Sequence, residues 1–104
     1  MNERRILALL KSGQVVFRYP LKVHYAAAAE GAGDFGVSVP KRYFKRAVKR
    51  NLLKRRVREA FRLNAARLGA RSYDIFIYYV GKQVEDYERI DKSLAQILDD
   101  LAAC

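Results

Sequence analysis

The feature that most constrains this chain is a stretch of concentrated positive charge at residues 41–62. It holds eleven of the chain's 21 lysines and arginines but only one of its 11 acids, Glu59. The ten cations and ten acids elsewhere cancel, so the stretch carries the whole net charge of +10. No Pro or Gly lies between Pro40 and Gly69, and most residues between them favour helix. We predict one long helix ending at residues 68–69, with Gly69 as a left-handed cap.

At about 100° per residue this helix has two distinct faces. An apolar stripe expected to face a core contains Leu53, Val57, Ala60, Phe61, Asn64 and Leu68. The opposite side presents Asn51, Arg55, Arg58 and Arg62, with Lys54 and Val48 at its flanks. Like charges four residues apart weaken a helix. Eleven cations with a single acid therefore indicate a polyanionic partner rather than a helix face that is merely solvated.

Composition narrows the class of protein. A chain of 104 residues that is 51% apolar is expected to form one globular domain. Its pI near 10 points to nucleic acid or an anionic membrane as the partner. The single cysteine, Cys104, has no internal disulfide partner. No run approaches the roughly 20 apolar residues of a membrane span, and the first residues lack a cleavable signal, so we expect a soluble cytoplasmic protein.

Patterning along the chain predicts the order α-β-β-β-α-β-α. A helix at residues 3–12 precedes strands at 15–19, 21–27 and 34–39; the basic helix, a strand at 73–80 and a closing helix from residue 87 follow. The continuous apolar run at 73–80 is typical of a central strand, and Asp86 is the expected N-cap of the last helix. We predict a two-layer α+β sandwich with a four-stranded sheet, in which the third and fourth strands run parallel.

Two motifs admit a functional and a structural interpretation. Residues 31–36, GAGDFG, match the spacing of a dinucleotide-binding loop, but a strand rather than a helix follows, so we interpret them as a hairpin loop. His24 is the only histidine and has no Cys or His neighbours for a metal site. It is expected to be structural unless the polar side of its strand faces a ligand. No nucleophile–base set can be assembled, so we expect no catalytic centre in the protein itself.

Three aromatic residues on the early strands are of particular interest: Phe17, Tyr19 and Tyr25. The ordinary role for each is in the core. Beside a cationic helix, however, aromatic side chains on a sheet face form stacking platforms for unpaired bases. The sequence leaves both roles open.

The segment RNLLKRRVREAFR at residues 50–62, with the upstream SVPKR and AVKRN, closely resembles the signature of the bacterial ribonuclease P protein subunit. The matching positions are Ser38, Val39, Lys41, Arg42, Ala47, Val48, Arg50, Asn51, Lys54, Arg55, Arg58, Glu59, Phe61 and Arg62. The order of predicted elements also agrees with that family.

This resemblance implies a function in tRNA 5′ maturation. In the family a large RNA catalyses removal of 5′ leaders from precursor tRNA, and the protein binds that RNA and holds the single-stranded leader in a cleft between sheet and helix. The resemblance also implies a left-handed crossover between the third and fourth strands. It further implies Mg²⁺ in the RNA-containing holoenzyme, no cofactor on the protein alone, and neither DNA nor a membrane as a partner. The implied RNA-binding residues are Lys41, Arg42, Arg46, Arg50, Asn51, Lys54, Arg55, Arg58 and Arg62; Phe17, Tyr19 and Tyr25 are the leader-cleft candidates.

The sequence departs from the family pattern in three places. Leu52 replaces an arginine, residues 43–46 replace a shorter segment with Gly-Asn, and Ile6 and Leu10 stand where phenylalanines usually face the leader. Two alternatives stay open: a generic RNA-binding protein, such as a ribosomal protein, and a membrane-surface helix. The second is the weaker one because the apolar stripe is needed to cover a sheet.

Overall fold

The computed structural model describes residues 2–28, 33–69 and 72–103, which contain the predicted element order. The helices are α1 (Glu3–Ser12), α2 (Ala47–Asn64) and α3 (Tyr87–Ala103), and a 3-10 turn, Ala65–Leu68, extends α2. The strands are β1 (Gln14–Arg18), β2 (Leu21–Ala27), β3 (Phe35–Ser38) and β4 (Tyr73–Tyr79). Cys104 lies outside the described residues.

Local side-chain hydrogen bonds set the first residues of two helices. The Asn2 side chain accepts from the Arg5 backbone N–H at 2.9 Å, which caps α1. The predicted Asp86 cap of α3 is confirmed, because its carboxylate accepts from the Arg89 backbone N–H at 2.9 Å. Gly69 follows the 3-10 turn with φ of 65° and ψ of −130°. Its φ is positive as predicted, but its ψ lies outside the left-handed helical region.

The sheet has the strand order β1-β2-β4-β3. β4 is therefore central, and it pairs antiparallel with β2 and parallel with β3, which confirms both predictions for this strand. The hairpin interpretation of residues 31–36 is wrong, because β2 and β3 are not neighbours: β4 lies between them. Gly36 belongs to β3, and residues 29–32 lie outside the described part of the chain. The handedness of the β3–α2–β4 crossover stays a prediction from the family.

The core lies between one sheet face, here called the inner face, and helices α2 and α3. β2 and β4 supply alternate residues to it, and the stripe predicted on α2 covers them: Leu53, Val57 and Ala60 are fully buried. Phe61 stacks on Phe35 of β3 with ring centroids 4.1 Å apart. The inner-face residues of the two central strands are Leu21, Val23, Tyr25, Ile75, Ile77 and Tyr79.

The opposite side of the sheet is partly covered by α1, and we call it the outer face. Its side chains alternate with the core residues and include Val15, Phe17, Lys22, His24, Phe76 and Tyr78. Arg5 of α1 lies 3.8 Å from Asp74, which also belongs to this face. Because α1 covers the Asp74 end, the outer face stays open towards Phe17 and Tyr78.

The basic helix begins later than predicted. Residues 41–46 form a turn and an extended segment, and α2 starts at Ala47. Two contacts explain the difference. The Phe44 side chain is buried and packs edge-on against Tyr79, with ring centroids 5.7 Å apart. The Arg50 guanidinium donates to the carbonyl oxygens of Phe44 and Lys45 at 2.6 and 2.9 Å, so the preceding segment is held out of the helix.

No helix in the described ranges is long and apolar enough to cross a bilayer. The longest, α2, buries its apolar stripe in the core and exposes its cationic side. An apolar stripe that packs on the sheet is not available for insertion into a membrane surface.

We predict that Leu53→Asp unfolds the protein. Leu53 is fully buried, so the change removes an apolar side chain and buries an unpaired carboxylate, which lowers the free energy of unfolding by about 4 kcal/mol or more. Leu63→Asp is the matched control, because Leu63 lies on the same helix and is 58% exposed. Urea denaturation followed by circular dichroism measures both; equal midpoints for the two variants would contradict the assigned helix phase.

Candidate nucleic-acid interface

The outward side of α2 carries the cations that the sequence placed there. Asn51, Arg55 and Arg58 are exposed, and Lys54 is half-buried beside them. Leu53 and Val57 in the core fix the rotation of the helix. The side chains on this face therefore project into solvent from a rigid support, an arrangement suited to binding an extended anionic backbone.

An apolar depression interrupts this cationic face. It is lined by Val48, Asn51, Leu52 and Arg55. Val48 is 77% exposed and Leu52 is half-buried, so Leu52, which replaces the family's arginine, widens an apolar surface already present one turn earlier. At this position the face offers van der Waals contact to a sugar or base instead of a charge for a phosphate.

Some of the predicted RNA-binding cations already interact with other groups of the protein. Arg62 donates to the carboxylate of Glu59 at 2.5 and 3.2 Å. This hydrogen bond lowers the pKa of Glu59, and the reciprocal interaction raises the pKa of Arg62. The Arg62 charge is thereby partly neutralised, whereas no such ion pair is formed by Arg55 or Arg58 within the described residues. Arg50 also has a structural role, because it binds the two carbonyls that precede α2.

The turn before α2 brings further predicted residues to the same end of the domain. Lys41, Arg42 and Arg46 are all exposed there. The Arg42 guanidinium lies 5.6 Å from the centre of the Tyr43 ring, and the Lys82 ammonium lies 5.5 Å from it. Lys82 is not among the predicted residues, because it follows β4 and meets the turn only in the folded chain.

The open part of the outer face is a row of side chains that crosses all four strands. Cross-strand pairing places Phe17 opposite Lys22, Lys22 opposite Tyr78, and Ser38 beside Tyr78. The row ends at β3, and Lys41 follows this strand after two residues. It therefore joins the cationic turn at one edge of the sheet to an exposed phenylalanine at the other.

His24 lies next to this row and is only 8% exposed. Its ring meets Tyr78 edge-on at 5.7 Å, and its Nδ1 atom is buried without a hydrogen-bond partner among the described residues. Burial, and then the positive charge of Lys22, lower the pKa of His24 below its usual value of 6.5. His24 is therefore neutral at pH 7 and forms part of the floor of the outer face.

The three aromatic candidates for the leader cleft are separated by the fold. Phe17 is on the outer face and is 59% exposed. Tyr25 is on the inner face and 9% exposed, and its hydroxyl donates to Gln14 at 2.9 Å, so it is not part of the open outer face. Tyr19 lies in the β1–β2 turn rather than on a strand face with Phe17, and its hydroxyl donates to Glu85 at 3.1 Å.

The residues of α1 also differ from those of the family. Leu9 is buried and anchors the helix, whereas Ile6 is half-buried and Leu10 is 39% exposed. These two aliphatic side chains take the places where the family pattern has phenylalanines. The aromatic residues on the outer face are instead Phe17, Phe76 and Tyr78. In the described ranges no group of three or more His, Cys, Asp or Glu side chains is placed to hold a metal ion.

Comparison with known proteins agrees with this geometry. The family model described as ribonuclease P matches residues 1–102. The chain belongs to the ribonuclease P protein family. It is 34% identical over 99 residues to the ribonuclease P protein component of Porphyromonas gingivalis, and the match covers 86% of this chain and 72% of that relative.

Solved structures share the fold. The ribonuclease P protein of Thermotoga maritima has a TM-score of 0.83 at 24% identity, covering 96% of this chain and 94% of that one. The protein from Staphylococcus aureus has a TM-score of 0.81 at 24% identity, covering 96% and 91%. The α+β fold predicted from the sequence is therefore that of ribonuclease P proteins.

Membership gives the chain a defined role. It is the protein subunit of an endoribonuclease that processes the 5′ ends of tRNA, with catalysis carried by the RNA subunit. Its partner is accordingly a ribonuclease P RNA.

We predict that His24 makes the stability of the domain depend on pH between about 7 and 5. As pH falls through about 6.5, the unfolded chain takes up a proton that the folded state, with its lowered pKa, does not. The free energy of unfolding therefore falls, by at most about 1.4 kcal/mol per pH unit. Urea denaturation of wild type and His24→Phe at several pH values tests this.

The variant should lose most of this dependence, since His24 is the only histidine and histidine is the side chain whose ordinary pKa lies in this pH range. His24→Leu serves as a second variant should the phenylalanine pack poorly. Identical slopes in wild type and both variants would show that folding does not lower the pKa of His24.

Proposed function

We propose that this chain is a single RNA-binding domain that binds ribonuclease P RNA through the exposed side of α2 and the single-stranded 5′ leader of precursor tRNA on its outer sheet face. In this way it assists endonucleolytic removal of the leader. The observation that carries the proposal is the division of α2, whose apolar stripe is buried while Arg55 and Arg58 face solvent.

The cations of α2 supply affinity that does not depend on sequence. Each Lys or Arg that neutralises a phosphate releases a condensed counterion, so affinity falls as salt rises. Arg55 and Arg58 have planar guanidinium groups that bind phosphate oxygens in pairs, whereas Lys54 acts as a point charge. Asn51 both donates and accepts hydrogen bonds, which suits a 2′-hydroxyl or a base edge.

The outer face has the properties that a single-stranded leader requires. It is open at the row from Phe17 to Ser38, it presents aromatic rings for stacking, and it is flanked by the Lys41–Arg42 turn. Stacking on rings tolerates many base sequences. Lys22 stands in the middle of the row, where it is placed to contact a phosphate.

The proposal also covers cofactors and cellular location. The protein binds no cofactor alone, and Mg²⁺ belongs to the RNA-containing holoenzyme. We place the complex in the cytoplasm, where tRNA precursors of bacteria are made, with neither DNA nor membrane as a partner.

We predict that Arg55→Ala and Arg58→Ala each weaken binding to ribonuclease P RNA and flatten its salt dependence. Loss of one phosphate contact reduces the slope of log K against log salt by about 0.7 to about 0.9. Filter binding across a salt series measures this. Arg4→Ala is the control, because Arg4 is an exposed cation on α1. Unchanged slopes in both α2 variants would remove these residues from the interface.

Reconstitution tests the function as a whole. The full chain is added to a bacterial ribonuclease P RNA at low magnesium concentration, and removal of the 5′ leader from precursor tRNA is measured. We expect cleavage to be faster than with the RNA alone. A generic RNA-binding protein would bind the RNA without increasing cleavage.

A further inference from the structure

A second cationic and aromatic surface lies at the edge of the sheet, away from α2. Strand β1, the turn after it and α3 enclose an open groove of about 520 Å³, which we call the β1-edge groove. The side chains that line it include Phe17, Arg18, Tyr19, Arg89, Lys92 and Gln96. The lining combines three cations with two aromatic rings and has no acidic side chain.

The walls of this groove are fixed by hydrogen bonds between β1, the turn and α3. Arg18 donates to the carboxylate of Asp100 at 2.9 and 3.1 Å. The buried Ser93 hydroxyl donates to the Tyr19 carbonyl oxygen at 2.6 Å. A ligand in the groove would therefore bind to a surface that is already ordered, which lowers the entropic cost of binding.

Two of the cations keep their charge available. Arg89 lies over the Tyr19 ring at 5.1 Å from its centre, and Lys92 is exposed one turn further along α3. Neither forms an ion pair with any residue in the described part of the chain. Arg18 is paired with Asp100, so the positive charge that the groove offers to an anion comes from Arg89 and Lys92.

The aromatic rings add a preference for a particular kind of anion. Phe17 is 59% exposed and Tyr19 is 38% exposed. Exposed rings beside cations are suited to stacking a base while the cations hold its phosphates. The Gln96 amide, which both donates and accepts hydrogen bonds, is placed to contact a base edge.

The groove continues the open row on the outer face. Phe17 belongs to both surfaces: it pairs across the sheet with Lys22, and it borders the groove with Arg89 and Lys92. From β3 to β1 the row spans three inter-strand spacings of about 4.8 Å, or about 14 Å. A chain that crosses the outer face therefore reaches the β1-edge groove at its far end.

We propose that the β1-edge groove binds leader nucleotides further from the cleavage site than those on the outer face. A base stacks against Phe17 and Tyr19, and Arg89 and Lys92 bind the phosphates. This inference rests on the proposed function, because it assigns a second subsite to the same single-stranded RNA.

Leader length is the variable that tests this subsite. The full chain is assembled with ribonuclease P RNA, and affinity is measured for precursor tRNAs with leaders of about 4 to about 16 nucleotides, the range of site sizes in single-strand-binding domains. Wild type should gain affinity as the leader lengthens. In Arg89→Gln/Lys92→Gln this gain should fall by roughly tenfold, while affinity for the shortest leader is unchanged.

The matched control removes the same two charges from α1. Arg4 and Lys11 are exposed, lie seven residues apart, and point roughly 150° away from the buried Leu9. Arg4→Gln/Lys11→Gln should keep the whole gain with leader length. If the groove variant also keeps it, or loses affinity equally at every length, the proposal is overturned.

Substitutions of Phe17 test stacking separately from charge. Phe17→Leu should reduce the affinity for long leaders by roughly fivefold or more, and Phe17→Tyr should restore it, because tyrosine keeps an aromatic face. Equal affinities for the leucine and tyrosine variants would exclude stacking. If the wild-type protein does not speed cleavage relative to the RNA alone, the proposed function is refuted, whereas faster cleavage without a gain from longer leaders refutes only the groove.

Discussion

Burial of one side of α2 is the interaction on which the rest of this structure depends. Leu53, Val57 and Ala60 are fully buried against the sheet and α3, and apolar side chains of the size of leucine or valine contribute about 2 kcal/mol each on burial. This burial opposes the mutual repulsion of the cations on the other side. It also fixes which side chains face solvent, so the core and the exposed cationic surface are two consequences of one helix orientation.

The turn before α2 shows how the same core shapes the ends of that surface. Phe44 enters the core against Tyr79, and Arg50 binds the two carbonyls beside it. Because of these contacts, Lys41 and Arg42 lie on a turn next to β3 instead of continuing the helix. The cationic surface therefore extends from α2 to the turn that follows β3, where Lys82 joins it.

The two faces of the sheet differ in exposure because α2 and α3 cover the inner one, whereas α1 covers only part of the outer one. His24 and Phe76 are buried near the covered end, whereas Phe17 and Lys22 remain exposed. The open row and the β1-edge groove are thus what is left once α1 and α3 have docked. Both combine aromatic rings with cations, which is the composition expected of a surface for single-stranded RNA.

Sequence patterns alone were sufficient to predict the element order, the buried stripe of α2 and its exposed cations. Those properties depend on local periodicity and on the 3.6-residue repeat, and the motif at residues 50–62 added the family. The folded chain was needed to show that β4 separates β2 from β3, that Tyr25 faces the core while Phe17 does not, and that residues 41–46 leave the helix. It also brought Arg89 and Lys92 to Phe17 and Tyr19. These features depend on strand register and on contacts between residues far apart in the chain, which local periodicity does not specify.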